Sequence, residues 1–516
     1  MINKIEITNN QYHDSVELLY VTSSLKQLKG VSLAYIAMGT TCNKEVFREI
    51  GFMESELETA GPNDMILGVA AENEHACQAA FDLAHSMLSK RHTENVKASY
   101  PSIASAMKAR PEANLCIISV PSKYAKSETM KALNAGMHVL IFSDNISLED
   151  EREIKLAASE KGLLCMGPDC GVTNIGGVSF LVGSMIKKGP IGICAASGAG
   201  LQEVAQLIHK AGSGISQGIG TGGKDLNDTV GAISMLAGFD ALSRDDETKV
   251  IVLISRKPGE KALKAVLSRA KACSKPVVVC FMGCSQNSFD KSGVIIGSNL
   301  EDTARKALSL IGIELPAAES SVNMELASAE VARMSKDQKY VRGLFCGGTF
   351  CEEAMEAMQA SVGGIYSNAP LFPEYKLFVS SVSFKNSLVD CGDEEFTLNR
   401  PHPDFDPEPR AEGILREASD PETAVILLDF ILGPAVHPDP AGAVIDSIRK
   451  AMHEVQQRGG KLSVVASVCG TDADPQKQSD QEEKLRQAGV LVCPSNYQAA
   501  VLAGAIISMK REKNKV

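Results

Sequence analysis

Short apolar runs alternate along the chain with stretches whose apolar residues recur at helical spacing. Apolar runs between turn-forming residues are typical of buried strands, and the 3.6-residue period is typical of amphipathic helices. In the first third of the sequence, such runs predict strands at 31–38, 65–71, 115–120, 138–143 and 163–167. Helical patterns follow some of these strands, at 123–136 and 147–161. Alternation of this kind indicates βαβ units on a mostly parallel sheet.

The same alternation continues through the rest of the chain. A strand at 191–195, a helix from about residue 200 and strands at 250–255 and 276–282 predict a second α/β unit. A polar, Ala- and Ser-rich stretch then leads to a third unit. We therefore predict a Rossmann-like domain, a flavodoxin-like domain, a linker and a second flavodoxin-like domain. Their predicted bounds are 1–182, 183–316, 317–338 and 339–516.

Three segments of the second unit have counterparts, in the same order, in the third. The pairs are "IGICAASGAGLQEV" (191–204) with "RGLFCGGTFCEEAM" (342–355), "TKVIVLISRKPG" (248–259) with "TAVILLDFILGP" (423–434), and "KPVVVCFMG" (275–283) with "KLSVVASVCG" (461–470). Both units therefore carry a strand, a corner of small residues and a helix in one order. We interpret them as two related domains.

Charge and cysteine content narrow the possible functions. The 52 Lys and Arg against 63 Asp and Glu give a net charge of −11, spread without a basic block, so nucleic acid is not an expected partner. The polar first residues and the short apolar runs predict a cytosolic chain without a membrane span. None of the 14 cysteines forms a C-x-x-C pair, so we expect reduced, buried thiols and no metal site.

Two small-residue corners are candidates for binding an anion. The first contains Ser197, Gly198 and Ala199, and the second contains Gly347, Gly348 and Thr349. A helix start exposes unpaired amides at the positive end of the helix dipole. The pattern from Thr349 to Glu352 also predicts a T-x-x-E capping box. Two facing corners could hold one phosphate, but two ordinary capped helices that never meet explain the sequence equally well.

The stretch 387–413 is rich in prolines and predicts a long, structureless loop. It carries Arg400, His402 and Asp406, a set suited to binding small anions because Arg offers a planar fork to carboxylate or phosphoryl oxygens. The alternative is a rigid surface excursion with ordinary charges.

Three further side chains follow or lie within apolar runs. His437 and Asp439 come after the run that ends near residue 432, where ligands collect in open α/β sheets, although an isolated His there is commonly a turn residue. Asp429 lies inside an apolar run and needs a partner. We interpret "GIGTGG" (218–223) as a close backbone approach, with Lys224 as a candidate charge beside the phosphate.

The chain resembles the FdrA branch of the succinyl-CoA synthetase superfamily of NDP-forming acyl-CoA synthetases. The residues that carry this resemblance are "ALNAGMHVLIFSDNISLEDE" (132–151), "KGLLCMGPDCGVTNIGG" (161–177), "ASGAGLQEV" (196–204), "GIGTGGKDL" (218–226), "DCGDEEFTLNRPHPDFDP" (390–407) and "LLDFILGPAVHPDPA" (427–441). The resemblance implies a CoA-binding-type Rossmann domain and a ligase domain, fused to a domain like the carboxyl-terminal part of the synthetase β subunit. It also implies that the two corners face each other and hold a phosphate.

The chain departs from the synthetase pattern in three places. The segment 283–297 lacks the histidine that carries phosphate in the synthetases, and no ATP-grasp module precedes the third domain. Gly39, Thr40 and Thr41 replace the glycine-rich CoA phosphate loop. Partial remnants of the CoA pattern are Ser122, Lys123, Ser143 and Asn145, so CoA stays open as a ligand and no other cofactor is expected.

The resemblance to the FdrA branch implies carbamoyl transfer that involves oxamate, carbamoyl phosphate and partner subunits. A phosphate cradle without a phosphorylatable histidine suits a preformed acyl phosphate, with Arg400, His402 and His437 as candidate catalytic residues. One alternative is a CoA ligase component that borrows an ATP-grasp partner. Another is a non-catalytic subunit that binds a metabolite or organises an assembly.

Overall fold

The structure, a computed structural model, describes residues 2–11, 13, 15–26, 28–52, 55–94, 100–289, 292–314, 324–397 and 400–515. The chain forms two compact units. The first is Met1–Pro101 with Phe396–Pro401, and the second is Ser102–Glu395 with His402–Val516. Residues 317–323 of the predicted linker lie outside the described residues, and the four predicted domain bounds stay predictions.

The first unit contains a three-stranded sheet in the order β1-β3-β2. Its strands and helices are β1 (Ile2–Thr8), α1 (Ser15–Lys26), β2 (Val31–Met38), α2 (Thr41–Glu49), β3 (Met65–Ala71) and α3 (Glu74–Glu94). The positions of β2 and β3 were predicted, but the parallel pairing was wrong, because β3 runs antiparallel to both neighbours. Helices cover one face of β3, and Phe47 and Phe52 cover the other. Burial on both faces gives β3 the unbroken apolar run that is typical of central parallel strands.

The second unit begins with a parallel sheet in the order β4-β5-β6. Its elements are α4 (Ile103–Ala109), β4 (Leu115–Ile118), α5 (Ser122–Asn134), β5 (His138–Ile141), α6 (Leu148–Glu160) and β6 (Cys165–Met166). These strands and the helices α5 and α6 agree with the predicted βαβ pattern.

A seven-stranded sheet follows. Its elements are β7 (Val172–Ile175), β8 (Val178–Leu181), β9 (Lys188–Ala195), α7 (Gly198–Lys210), β10 (Ile215–Gly220), α8 (Ile233–Arg244), β11 (Val250–Ser255), α9 (Glu260–Lys271), β12 (Val277–Phe281), β13 (Ile295–Ile296) and α10 (Leu300–Ser309). Strands β9 to β13 are parallel in the order β10-β9-β11-β12-β13. The β7–β8 hairpin extends the sheet at the β10 edge, antiparallel to it.

A five-stranded parallel sheet completes the second unit. Its elements are α11 (Met324–Ala332), β14 (Tyr340–Phe345), α12 (Gly348–Val362), β15 (Ser387–Asp390), α13 (Glu394–Thr397), α14 (Glu408–Ser419), β16 (Thr423–Ile431), α15 (Pro440–Gln457), β17 (Ser463–Cys469), α16 (Gln478–Gln487), β18 (Leu491–Cys493) and α17 (Asn496–Lys515). The strand order is β15-β14-β16-β17-β18. Short 3-10 helices occur at Ser55–Thr59, Gln286–Phe289 and Pro373–Tyr375.

The parallel strands of the two larger sheets have the same order. Numbered along the chain, each set of five is arranged 2-1-3-4-5, which is the order of flavodoxin-like sheets. The three segment pairs found in the sequence occupy equivalent places, since β9 corresponds to β14, β11 to β16 and β12 to β17. The predicted flavodoxin-like fold and its internal repeat are confirmed.

One apolar core runs continuously through both flavodoxin-like lobes. It joins Val204 of α7 and Leu300 of α10 to Phe350 of α12 and Ile506 of α17. Asn496, the first residue of α17, adds polar contacts at this junction. Its amide donates to Glu203 Oε1 (3.2 Å), and its side chain donates to Glu353 Oε2 (2.8 Å) and to the Phe350 carbonyl (3.0 Å). Burial raises the pKa of Glu353 to about 8, which favours its protonated form at this junction.

The predicted structureless loop at 387–413 was wrong in part. It begins with β15, whose four residues are buried beside β14, and it ends in α14. Residues 398 and 399 lie outside the described residues. The strand was not predicted, because four residues are too few to show a recognisable pattern of apolar and polar positions. The segment from 400 to 407 does lack regular structure, in agreement with its prolines.

A buried lysine fixes the corner that follows β10. Lys155 of α6 donates to Glu151 (2.6 Å), to the Thr221 carbonyl (2.9 Å) and to Asp225 (2.8 Å), and its side chain is fully buried. Burial alone would lower the pKa of Lys155, but the charges of Asp225 and Glu151 outweigh it and raise the pKa. This contact holds the turn that carries Lys224.

Replacing Lys155 tests this anchor. We expect Lys155→Met to lower the free energy of unfolding by about 3–5 kcal/mol, because it leaves buried carboxylates without their cation. Lys126→Met is the matched control, since Lys126 also pairs with α6, through Asp150, but this ion pair is exposed to solvent and its loss should change stability far less. Urea unfolding followed by circular dichroism measures both. Equal losses in the two variants would contradict the assigned role of Lys155.

Candidate functional site

The structure brings the two predicted small-residue corners together. Helix α7 follows β9 and helix α12 follows β14, so each corner lies at the carboxyl end of the equivalent strand in its lobe. Ser197 Oγ lies 2.6 Å from Thr349 Oγ1, and both side chains are buried. The helices therefore meet at their amino-terminal ends.

Ser197 is the N-cap of α7, and its Oγ accepts a hydrogen bond from the Gly200 amide at 2.8 Å. Within the described residues, no hydrogen bond reaches the amides of Gly198 and Ala199. Two donors at the positive end of the α7 dipole are thus free for a ligand.

The predicted capping box of α12 was wrong. The helix begins at Gly348 with Gly347 as its N-cap, so Thr349 lies inside the first turn and its hydroxyl contacts Ser197 instead. The carboxylate of Asp429 takes the role predicted for Thr349. It accepts hydrogen bonds from the backbone amides of Cys346 (2.7 Å) and Gly347 (2.9 Å), just before α12.

Arg410 supplies the partner that Asp429 was predicted to need. One guanidinium nitrogen donates to the Asp429 carbonyl (2.6 Å) and lies 3.4 Å from Oδ1. Burial raises the pKa of Asp429, and the Arg410 charge opposes this rise. The buried pair fixes the start of α12.

Side chains from neighbouring segments pack closely against both glycines at the start of α12. A Cβ on Gly347 would lie 3.1 Å from the Ala199 side chain. A Cβ on Gly348 would overlap the carboxylate of Asp390, with Arg256 Nη1 at 3.6 Å. Asp390 and Arg256 therefore line the space beside the α12 start.

Five charged side chains surround this junction, and we call them the charged cluster. They are Asp169, Lys224, Arg256, Asp390 and His402, each of which affects the ionisation of at least one other member.

His402 belongs to the described part of the proline-rich stretch. Its Nδ1 lies 3.3 Å from Asp404 Oδ2, and 31% of its side-chain surface is exposed. Burial lowers the pKa of His402, but the charges of Asp404, Asp390 and Asp169 outweigh it, so its pKa is raised. A Cβ on Gly392 would overlap the imidazole Nε2, so this glycine lets the ring approach the backbone.

Asp390 is the last residue of β15 and is 5% exposed. The Gly392 amide donates to its Oδ1 (3.0 Å), and Asn368 hydrogen bonds to its backbone amide and carbonyl. Burial raises the pKa of Asp390 to about 6, against the opposing charge of Arg256. The carboxyl group can therefore exchange a proton near neutral pH.

Asp169 follows β6 and is exposed. Partial desolvation of its carboxyl group raises its pKa to about 6, and the charge of Asp144 acts in the same direction. A Cβ on Gly222 would overlap the Pro168 carbonyl, so the "GIGTGG" corner does approach another backbone closely, as interpreted from the sequence.

The two other cations of the charged cluster are partly exposed and paired. Arg256 follows β11 and donates to Glu352 of α12, with 43% of its side chain exposed. Lys224 Nζ lies 3.2 Å from Glu394 Oε1, and both side chains are exposed. Because they are accessible, both cations can turn towards a bound anion.

Two of the three predicted catalytic residues are not part of the charged cluster. The His437 ring accepts from the Asp439 amide (3.1 Å), and burial lowers its pKa, which is the behaviour of a hydrogen-bonded turn residue. Asp439 caps α15. Arg400 is exposed and belongs to the first compact unit, so it is described apart from the charged cluster. Asp406 accepts from the Glu408 amide at the start of α14.

The predicted CoA-binding residues lie in separate places. Thr40 caps α2 through the Asn43 amide, and Thr41 is the exposed first residue of that helix, both in the first unit. In the second unit, Ser122 and Lys123 are exposed at the start of α5.

The other two predicted CoA-binding residues follow β5. Asn145 is exposed and has a positive φ of 52°. Ser143 is buried, and its hydroxyl hydrogen bonds to the amide and carbonyl of Val120, which is a structural contact. Binding of CoA at these positions stays a prediction.

Sequence reasoning missed Asp169, Arg256, Asp390 and Asp404. The first three follow or end strands β6, β11 and β15, so the preference of ligands for the carboxyl ends of strands identifies them once the strands are known. Asp404 has no such signal, because only the fold of the proline-rich stretch brings it to His402.

Comparison with known proteins identifies the family. The family model described as CoA-ligase matches residues 344–506, and the one described as AllF, heavy metal-associated domain, matches residues 1–102. Protein YahF of Escherichia coli K12 is 39% identical over 514 residues, which cover 99% of each chain. The chain belongs to the family of YahF. This family lies in the NDP-forming acyl-CoA synthetase superfamily predicted from the sequence.

Ligase subunits show partial similarity to this YahF relative. The ADP-forming sulfoacetate-CoA ligase subunit SauD of Bilophila wadsworthia is 30% identical over 36% of the chain and 64% of SauD. The ADP-forming succinate–CoA ligase subunit alpha 2 of Archaeoglobus fulgidus is 28% identical over 41% of the chain and 75% of that subunit. The chain is thus similar in part to subunits of ADP-forming CoA ligases.

The described residues hold neither a candidate membrane span nor a candidate metal site. None of the described helices combines the length and apolar character needed to cross a bilayer. Across the same residues, no group of three or more His, Cys, Asp or Glu side chains is arranged to hold a metal ion.

Replacing Asp404 tests the electrostatics of His402. We expect Asp404→Asn to lower the pKa of His402, because the carboxylate that stabilises the imidazolium is lost. NMR titration of the histidine Cε1 protons measures this change, with His402→Gln identifying the resonance. Asp406→Asn in the same loop is the control and should leave the pKa unchanged. An unchanged pKa in Asp404→Asn would contradict the assignment.

The same shift predicts how stability depends on pH. The raised pKa means that the folded chain binds a proton at His402 more tightly than the unfolded chain does. This contribution is fully present below the unfolded histidine pKa of about 6.5, and it is lost as the pH rises through the folded pKa.

Proposed function

We propose that the chain is a subunit of an acyl-phosphate-dependent transferase, with carbamoyl phosphate as the donor and a small carboxylate such as oxamate as the acceptor. The observation that carries this proposal is the meeting of two helix starts at Ser197 and Thr349. The first amides of α7, at its amino-terminal end, have no hydrogen-bond partner among the described residues. Two helix dipoles that converge with their positive ends are suited to a tetrahedral dianion.

The charged cluster supports the same chemistry. Arg256 and Lys224 are accessible cations near the junction, and the raised pKa of His402 favours a third positive charge. Transfer forms a bond from the acceptor nitrogen to the carbonyl carbon and breaks the bond from that carbon to the phosphate oxygen. The phosphate leaves with the electron pair and takes up the proton that the acceptor nitrogen loses. Preorganised donors at the leaving phosphate stabilise the charge that develops there.

Binding of a phosphate dianion at the junction depends on the protonation state of Asp390. Its carboxylate faces the α12 start, and an ionised carboxylate beside a phosphate dianion is unfavourable. With the pKa of Asp390 raised to about 6, a modest cost in free energy lets the carboxyl take up a proton when the anion binds. Protonated Asp390 then donates a hydrogen bond to a phosphoryl oxygen.

His402 is suited to orienting the acceptor or the donor carbonyl. Asp404 fixes its Nδ1 side, and the ring is partly open to solvent. We keep His402 and Arg400 as candidate catalytic residues. His437 is half-buried and, like His402, accepts a hydrogen bond from the amide two residues further on, but it lies outside the charged cluster, so we assign it no catalytic role.

A second candidate is a CoA ligase component that acts with an ATP-grasp partner. Its specific support is the CoA-ligase family model over residues 344–506 and the ADP-forming ligase subunits among the relatives. The missing histidine in 283–297 weighs against it, because phosphoryl relay through that position is lost.

Turnover and binding distinguish the two candidates. We expect carbamoyl phosphate to bind the chain, and phosphate release with its partner subunits to depend on oxamate. Release that depends on ATP and CoA would favour the ligase instead, and neither activity would favour a non-catalytic subunit. Calorimetric titration with carbamoyl phosphate, inorganic phosphate, CoA and ATP measures the binding.

Two substitutions locate the binding site. Gly348→Ala and Thr349→Val should each weaken binding of carbamoyl phosphate at least about tenfold, equivalent to about 1.4 kcal/mol, because each alters the junction of the helix starts. Thr129→Val is the matched control, since Thr129 is also a buried helical threonine and its hydroxyl has no hydrogen-bond partner among the described residues. Unchanged binding in both junction variants, with the fold retained by circular dichroism, would contradict the cradle.

The pH dependence of binding tests Asp390. Affinity for carbamoyl phosphate should fall as the pH rises through about 6, because ionised Asp390 repels the anion. Asp390→Asn should weaken this dependence and reduce the proton uptake that calorimetry detects in buffers of different ionisation enthalpy, while Asp169 and His402 keep their own contributions. Asp150→Asn, at an exposed ion pair, should change neither. Binding without proton uptake in the unmodified chain would rule out this role.

A further inference from the structure

A stretch of large apolar side chains lies exposed on the five-stranded lobe, between the 3-10 helix Pro373–Tyr375 and β15. We call residues 372–384 the aromatic patch. Its exposed members are Phe372 (45%), Phe378 (fully exposed), Val379 (47%), Val382 (60%) and Phe384 (51%). These apolar side chains are not buried in the core of the lobe, so core packing does not explain why they are apolar.

Ring contacts make the aromatic patch continuous. Phe372 contacts Tyr375, with ring centroids 6.5 Å apart, and Tyr375 contacts Tyr366 at 5.4 Å. Tyr366 then contacts Phe384 at 4.9 Å. Phe372 and Phe384, at the two ends of the segment, are thus joined through Tyr375 and Tyr366, and Phe378 lies exposed between them in the sequence.

The area of the aromatic patch approaches that of a protein interface. A Phe side chain presents about 200 Å², so the exposed fractions of the three rings amount to roughly 400 Å², and the two valines raise the total to roughly 550 Å². The largest apolar patch of a typical monomer is about 300–600 Å² and is often functional. A stable interface needs about 800 Å² from each partner, which this surface and a polar rim can supply.

The charges around the aromatic patch are of both signs. Lys376 and Lys385 lie within or beside the segment, and Ser380 Oγ donates to Glu395 Oε2 at 2.7 Å, which holds the acidic turn 393–395 against it. The whole chain carries a net charge of −11, so most faces of two copies repel each other. At this rim, a two-fold axis can place the lysines of one copy against the acidic turn of the other.

We propose that the aromatic patch is the interface through which two copies of this chain form a two-fold symmetric dimer. The apolar rings form its centre, and the lysines and the acidic turn form a self-complementary rim. This proposal does not rest on the transferase function, although Glu394 of the acidic turn pairs with Lys224 of the charged cluster.

The mass of the full chain in solution tests the proposal. Light scattering after size-exclusion chromatography should give about 110 kDa for the unmodified chain, twice the 54.9 kDa of one copy. Phe378→Asp should give 54.9 kDa at the same concentration. Because Phe378 is fully exposed, its replacement removes little internal packing, and circular dichroism checks that the fold is retained.

Val178→Asp is the matched control. Val178 is 56% exposed in the seven-stranded sheet, so the substitution adds the same charge outside the patch and should leave the dimer intact. A monomeric unmodified chain would overturn the proposal and would leave the patch for a different protein. A dimer that persists in Phe378→Asp would also overturn it, because the interface would then lie elsewhere.

Discussion

The contact between Ser197 and Thr349 is the constraint around which the rest of the site is arranged. It forms because two sheets of the same strand order each present the corner after their first strand, and a shared core holds these corners face to face. The amino-terminal ends of α7 and α12 converge there, so positive dipole ends are concentrated at one place. Two positive helix ends at one place attract an anion more strongly than either helix end alone.

The protein surrounds this positive junction with carboxyl groups rather than with cations alone. Asp390 and Asp169 have pKa values raised to about 6, so their charge changes within the physiological range. The Asp429–Arg410 pair has a different role, because it is buried and fixes the start of α12 without facing the open space. The junction therefore combines a rigid frame with groups whose protonation can follow that of a ligand.

Much of the fold was predictable because its strands are long and buried. Runs such as 250–255 and 423–431 carry five or more apolar residues and coincide with β11 and β16. The antiparallel pairing of β3 was not predictable, since burial on both faces hides the direction of its neighbours. At the site, Ser197 and Gly348 were found from local helix-start chemistry. Asp390 was not, because long-range packing alone brings it to the junction. Asp404 is only two residues from His402, but the local backbone path of the proline-rich stretch decides whether its carboxylate meets the ring.

Asn496 has a consequence for how a ligand reaches the junction. It links Glu203 of one lobe to Glu353 of the other, and both contacts lie within a continuous apolar core. Hinged separation of the lobes would expose that core and strip Asn496 of its partners. For the proposed anion site, this means that access depends on the surface turns that carry Lys224, Glu394 and His402 rather than on separation of the two lobes.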